Sequence, residues 1–335
     1  MRTYRAPRWL PGGHAQTIWA AKLARPFHQA APQFQRQRWA TPDADFIDVD
    51  FLQHPAQPGG GADGVAAGPT LVLFHGLEGS SSSHYAQSFA SWALQQGVNL
   101  VIPHFRGCSG ELNLAPRAYH SGDHAEIDWI LKRVAAWQGA TSPLVAAGVS
   151  LGGNALMRWA GEHGAQAAHT VQAVASICSP LDLAASGQAI GRGFNRQVYT
   201  RLFLRSMKPK AMAKWQQFPG LFDAQRLQAA TDLFAFDNVF TAPLHGFVDT
   251  ADYWAQASAL PHLHKIQIPA LALNARNDPF IPASSLPQPA QVSRHVTLWQ
   301  PEHGGHVGFP AGMPPGHLAE MPHAVGGWLM EQAHG

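Results

Sequence analysis

Gly148-Val149-Ser150-Leu151-Gly152 sets a serine between two glycines in the pattern G-x-S-x-G. A serine hydroxyl attacks a carbonyl only when a base takes its proton, and that base works best when a third group orients it. The chain offers both partners further on. Asp278 stands in Asn274-Ala275-Arg276-Asn277-Asp278-Pro279, and His306 in His303-Gly304-Gly305-His306-Val307-Gly308. Serine, carboxylate, histidine is one of the chain orders in which a Ser-His-Asp triad occurs. Such a set performs nucleophilic acyl transfer, in which two fixed N–H groups receive the charge that develops on the carbonyl oxygen. The expected donors are the backbone amides of Leu77, in His75-Gly76-Leu77-Glu78-Gly79, and of Leu151, directly after the serine.

Other residues compete for these roles. Asp182 could supply the carboxylate and His303 the imidazole. The plain alternative for 148–152 is a strand-to-helix turn that uses glycine for packing and serine as a cap. His75 precedes the Leu77 loop and reads as structural, and Glu78 as a rim residue. The histidines around 303–306, joined by His75 or His104, could be imagined as a metal site, but no cysteine or carboxylate completes it. No metal and no cofactor are expected. His120 and His124 stand four apart across Gly122 and read as the start of a surface helix. Cys108 and Cys178 lie far apart and read as buried small apolar residues rather than a disulfide framework.

A frame must hold these residues together. Short apolar runs at 71–75, 98–103, 143–149, 171–178, 269–275 and 295–300 read as strands, and 34–40 and 46–53 alternate as two more. Helical spacing covers 84–96, 151–163, about 318–332 and 123–137, the last opening on the capping-box-like pair Asp123 and Glu126. Strands alternating with helices imply a mostly parallel central sheet with helices on both faces. Ser150, Asp278 and His306 then fall beyond the carboxyl ends of strands, where open α/β sheets assemble their sites. The alternation breaks at 182–262, a stretch rich in Phe, Met, Leu and Trp that reads as several helices and no strand. The expected organisation is an N-terminal arm at 1–33 without clear period, a core at 34–181 and 263–335, and a helical cap insertion at 182–262. A Gly/Ala/Pro-rich stretch at 55–69 reads as a surface loop.

The chain has 335 residues, 46% of them hydrophobic, ample for one large domain or one domain with an insertion. Lys and Arg number 23 against 21 Asp and Glu, with no basic block, so no nucleic-acid partner is expected. No apolar run approaches the roughly 18 residues of a membrane span. Residues 1–14 carry charge but lack the apolar centre of a signal peptide. The expectation is a cytoplasmic protein with a small-molecule ester substrate and neither a transmembrane anchor nor an exposed apolar helix for bilayer access.

Several segments go beyond the fold-level pattern. They are His14-Ala15-Gln16-Thr17, HGLEGSSSSHY at 75–85, HFRGCSGELN at 104–113, YHSG at 119–122 and GVSLGGNALMRWAGE at 148–162. FDNVFTAPLHGF at 236–247, NDPFIP at 277–282 and GGHVGF at 304–309 complete the set. On these residues the chain resembles the YheT-like branch of the α/β hydrolases, relatives of the ABHD lipases and esterases. The resemblance implies the α/β-hydrolase fold, the triad Ser150, Asp278 and His306, and carboxylesterase activity on short- to medium-chain esters, with acylglycerol or phospholipid hydrolysis in some members. Two other readings use the same scaffold: acyl transfer to an alcohol, as yeast relatives suggest, and a non-catalytic binding protein.

Overall fold

The computed structural model describes residues 4–26, 31–53, 68–139 and 142–334. The expected 55–69 loop lies outside these, apart from residues 68 and 69. The six apolar runs become β3 (Thr70–Phe74), β4 (Asn99–Pro103), β5 (Leu144–Val149), β6 (Ala173–Ile177), β7 (Ala270–Leu273) and β8 (Val296–Trp299). All are buried, β8 only in part, as strands covered on both faces must be. The alternating segments become β1 (Phe34–Ala40) and β2 (Phe46–Leu52), whose antiparallel ladder sets Arg36 opposite Asp50 and Arg38 opposite Asp48. Those ion pairs let two aspartates lie buried in β2.

The eight strands form one sheet in the order β1-β2-β4-β3-β5-β6-β7-β8, and only β2 runs against the rest. Helices α2 (His84–Gln96) and α12 (Glu320–His334) cover one face through Phe89, Val325 and Leu329. Helices α3 (His124–Gln138) and α4 (Leu151–His163) cover the other through Ile127, Leu131 and Trp159. From β3 the chain turns outward to β4, then crosses back to β5 on the far side. This reversal between β3 and β5 opens a crevice at the carboxyl ends of the strands.

Between β6 and β7 run α5 (Leu183–Ile190), α6 (Gly193–Asn195), a π turn (Arg196–Thr200) and α7 (Arg201–Gln217). They are followed by α8 (Ala224–Ala229), α9 (Leu233–Val239), α10 (Thr241–Leu244) and α11 (Thr250–Ala257). No described residue of this stretch is in a strand. Its apolar side chains form clusters of their own, one around Phe222, Phe236 and Phe240 and another around Tyr253 and Trp254. The first 33 residues hold one element that the sequence pattern did not reveal, α1 (Gly13–Lys22). No helix among the described residues is long and apolar enough to cross a membrane.

Candidate active site

Ser150 ends β5 and opens α4 with φ 52° and ψ −118°, a conformation that non-glycine residues adopt at a cost. The surroundings enforce it. Ser150 N–H donates to Ile177 O at 2.8 Å, and Gly153 and Asn154 N–H donate to Ser150 O. A side chain at Gly152 would collide with the His75 carbonyl, so glycine there lets the elbow close against the β3 loop. Strand pairing sets Phe74 beside Gly148, which brings residues 75–79 alongside the serine.

Asp278 and His306 arrive on the loops after β7 and β8. His306 Nε2 lies 3.0 Å from Ser150 Oγ, and His306 Nδ1 lies 2.8 Å from Asp278 Oδ2. Asp278 Oδ1 accepts Phe280 N–H at 2.8 Å, and the carboxylate is buried. An Nδ1–H donated to Asp278 leaves the Nε2 lone pair facing the hydroxyl. The three residues singled out by chain order therefore meet in one hydrogen-bonded row. The rivals do not. Asp182 caps α5 by accepting Ala185 N–H at 3.0 Å. His303 is exposed and approaches Asn277.

The amides that the oxyanion reading needs are separated by their partners. Gly76 N–H donates to Tyr85 Oη, Glu78 N–H to Tyr119 Oη and Gly79 N–H to Gly76 O. Leu77 N–H and Leu151 N–H have no hydrogen-bond partner among the described residues. His75 lies fully buried, with Nδ1 2.7 Å from Gly76 O and Nε2 accepting Phe105 N–H at 3.0 Å. Burial lowers its imidazole to about 3, so it is a neutral strut under the loop. Glu78 is partly buried, paired with Lys210 at 2.9 Å and accepting from Tyr119 Oη at 2.9 Å.

A cavity of about 170 Å³ lies over Ser150. Its floor includes Leu77, Ser150, Leu151 and His306, and its roof comes from the inserted helices through Ile190, Phe203, Met207, Leu233, Phe236 and Trp254. His120 also lines it, its ring tilted against that of His245 with centroids 4.4 Å apart. The expectation of a surface position for His120 is corrected: the turn at 119–123 is tucked under the insertion, with Ser121 N–H bonded to Tyr253 Oη. Asp237 is a partly buried carboxyl in the same wall, accepting from Thr241 Oγ1 at 2.6 Å and Trp254 Nε1 at 2.9 Å.

Sequence spacing missed the residues that hold the Asp278 and His306 loops. Gln16 of α1 is 1% exposed. Its Oε1 accepts both Asn277 Nδ2 at 3.0 Å and Gly304 N–H at 2.9 Å, tying the Asp278 loop to the His306 loop. Thr17 Oγ1 accepts His306 N–H at 2.8 Å and donates to Gly13 O at 2.7 Å. Gly13 lies so close to the Asn277 carbonyl that any side chain there would clash. The signal was the His14-Ala15-Gln16-Thr17 segment, which carried resemblance but no periodicity. A one-turn polar contact leaves no hydrophobic pattern to read.

Comparison with known proteins identifies the family. A family described as "alpha/beta hydrolase fold" matches residues 69–312. The chain is 37% identical to "Putative esterase YheT" of Escherichia coli, covering 89% of this chain and 84% of that protein. It is 26% identical to "Phospholipase ABHD3" of Homo sapiens, covering 93% and 75%. Among solved structures, an esterase of Pyrococcus furiosus superposes with a TM-score of 0.54 at 15% identity, covering 94% of this chain and 100% of that one. That last likeness is one of fold.

Proposed function

Because the chain belongs to the α/β-hydrolase family, in its YheT-like branch, we propose that it is a carboxylic ester hydrolase acting through an acyl-enzyme on Ser150. The observation that carries the reading is the row Ser150 Oγ, His306 Nε2, His306 Nδ1, Asp278 Oδ2, at 3.0 and 2.8 Å, in the floor of an apolar cavity. His306 Nε2 takes the Ser150 proton as Oγ attacks the ester carbonyl. Asp278 keeps the imidazole in the right tautomer and stabilises the imidazolium. The carbonyl oxygen gains negative charge and is received by Leu77 N–H and Leu151 N–H. Losing one such donor typically costs about 100- to 1000-fold in rate. The tetrahedral species then collapses, and His306 Nε2–H gives its proton to the departing alkoxide. A water molecule repeats the sequence on the acyl-enzyme and releases the acid, restoring the serine.

The esterase and phospholipase names of the relatives support an ester as substrate. The Phe, Met, Leu and Trp side chains of the roof support an acyl chain of short to medium length, held by burial. We propose the stretch 182–262 as the cap that forms this acyl pocket, and residues 34–181 and 263–335 as the catalytic core. Each methylene buried contributes about 0.8 kcal/mol, close to fourfold in affinity. The test is kcat/KM over p-nitrophenyl esters from acetate to palmitate. It should rise over the first carbons and then fall. No turnover of any ester would refute the activity, and a monotonic rise to palmitate would refute a bounded pocket. Release of alkyl ester in place of acid when an alcohol is added would assign acyl transfer instead.

A further inference from the structure

Helix α7 and the turn before it have two unlike faces. Phe203, Met207 and Lys210 point inward and line the cavity over Ser150. Phe194, Val198 and Leu202 point outward and are 52%, 36% and 55% exposed. They stand four residues apart. In an unbroken α-helix of 3.6 residues per turn such a row would drift around the cylinder. The wider π turn at Arg196–Thr200 reduces that drift and keeps the three side chains closer to one line. An exposed apolar ridge thus replaces the expectation of no exposed apolar helix.

Charge singles out the same surface. From 183 through 222 the sequence has no Asp or Glu, while Arg192, Arg196, Arg201 and Arg205 flank the ridge, all exposed. None of the four forms an ion pair among the described residues, and the Arg196 guanidinium donates to Thr231 Oγ1 at 3.0 Å. The edge of the Phe194 ring meets His14 with centroids 4.6 Å apart, so α1 lies beside the ridge. One turn further along α1, Ile18 is 39% exposed.

Single exposed apolar side chains are ordinary. A row of them amid unpaired guanidinium groups is not, because soluble surfaces intersperse both signs of charge. A second copy of this chain fits poorly, since two-fold pairing of the patch would face arginine with arginine. A lipid surface bearing anionic headgroups over hydrocarbon matches both features at once. Guanidinium groups bind phosphate oxygens in bidentate fashion, and apolar side chains of such a helix enter the headgroup–acyl boundary.

We propose that this face docks on an anionic phospholipid bilayer, with the arginines on the phosphates and Phe194, Val198 and Leu202 in the acyl boundary. Docking there sets the cavity about one helix diameter, roughly 10 Å, from the lipid. The surface is independent of the triad, so binding is measured on Ser150→Ala protein, and failure here leaves the ester reading standing.

The experiment is co-sedimentation with vesicles of phosphatidylcholine containing phosphatidylglycerol, against vesicles of phosphatidylcholine alone. The protein should follow the anionic vesicles and be released by salt, which screens the charges. Leu202→Asp should abolish binding. Arg201→Gln combined with Arg205→Gln should weaken it by roughly 30-fold, at about fivefold per arginine. Placed in the otherwise unchanged chain, these substitutions should leave the melting temperature and p-nitrophenyl butyrate turnover unaltered. No binding to anionic vesicles would overturn the proposal. So would unchanged binding by the variants, or a dimer that Leu202→Asp dissociates without any vesicle binding by the parent protein.

Discussion

The rim of the sheet and the helices above it are built by different means. Around the row Ser150, His306, Asp278 nearly every part is fixed by a directional bond: Ser150 N–H to Ile177 O, His306 N–H to Thr17, Gly304 N–H and Asn277 to Gln16. The inserted helices instead pack largely on one another through aromatic and aliphatic side chains and join the core through both apolar and polar contacts. Lys214 reaches Asn113 O and Ala115 O, Asn154 holds Ala257 O and Ala259 N–H, and Ile190 and Tyr199 cluster with Phe280 and Ile281. Directional bonds fix atoms to fractions of an ångström, as proton transfer requires. Apolar packing tolerates changes of shape at nearly constant volume. The proposed function sets the chemistry at the rim and substrate choice at the roof.

Asp278→Asn and Asp182→Asn test the rim most severely. The first removes the carboxylate that orients His306 and should lower kcat by about 10,000-fold. The second keeps the cap of α5, because asparagine caps as well as aspartate, and should be close to wild type. Steady-state kinetics on one ester compares them. The reverse ranking would move the acid to the loop after β6.

Next in size is the α1 contact. Gln16→Ala frees the acid and base loops from each other, and a misplacement of about 1 Å can cost about 100-fold. The loss should fall on kcat with little change in KM. Thr17→Val should behave likewise and Thr17→Ser should recover most of the activity, since serine keeps the oxygen that accepts His306 N–H. Equal losses in Thr17→Ser and Thr17→Val would make the role of α1 one of packing alone.

The roof has its own titrating group. Burial raises the Asp237 carboxyl from 3.8 to about 6. Between about pH 4 and pH 6 the unfolded chain has released this proton while the folded chain retains it. Stability present below that window is therefore lost as the pH rises through it. Asp237→Asn can keep both contacts, its oxygen accepting Trp254 N–H and its amide donating to Thr241 Oγ1. The variant should melt above wild type at pH 7, by a margin worth at most roughly 3 kcal/mol, and the gap should close toward pH 4. A gap independent of pH would show that the carboxyl does not titrate in this window.

The smallest effect tests the division itself. Phe203→Ala enlarges the cavity from the roof side. It should shift the best acyl chain toward greater length by one or two carbons, at about 0.8 kcal/mol per methylene, while acetate turnover changes little. A large loss on acetate would tie the roof to the chemistry.

The same division decides what was legible in the sequence. Strands β3 to β8 announce themselves because a strand covered on both faces must be apolar throughout, and the elbow because glycines must flank Ser150. The proposed triad follows from chain order once the strands are placed. Helix α1 was not legible, since it is short and shows no amphipathic period. The exposed line of Phe194, Val198 and Leu202 was hidden for another reason. Helical spacing marks those residues as apolar without saying which face is covered, and the π turn alters the spacing.

The central claim is that Ser150 is the nucleophile, activated through His306 and Asp278. The direct measurement is labelling with a fluorophosphonate followed by peptide mass spectrometry. The account predicts one adduct, on the peptide carrying Ser150, at a rate cut sharply by Asp278→Asn and abolished by Ser150→Ala while the melting temperature stays near wild type. An adduct that persists in Ser150→Ala, or that forms on another residue, would contradict it.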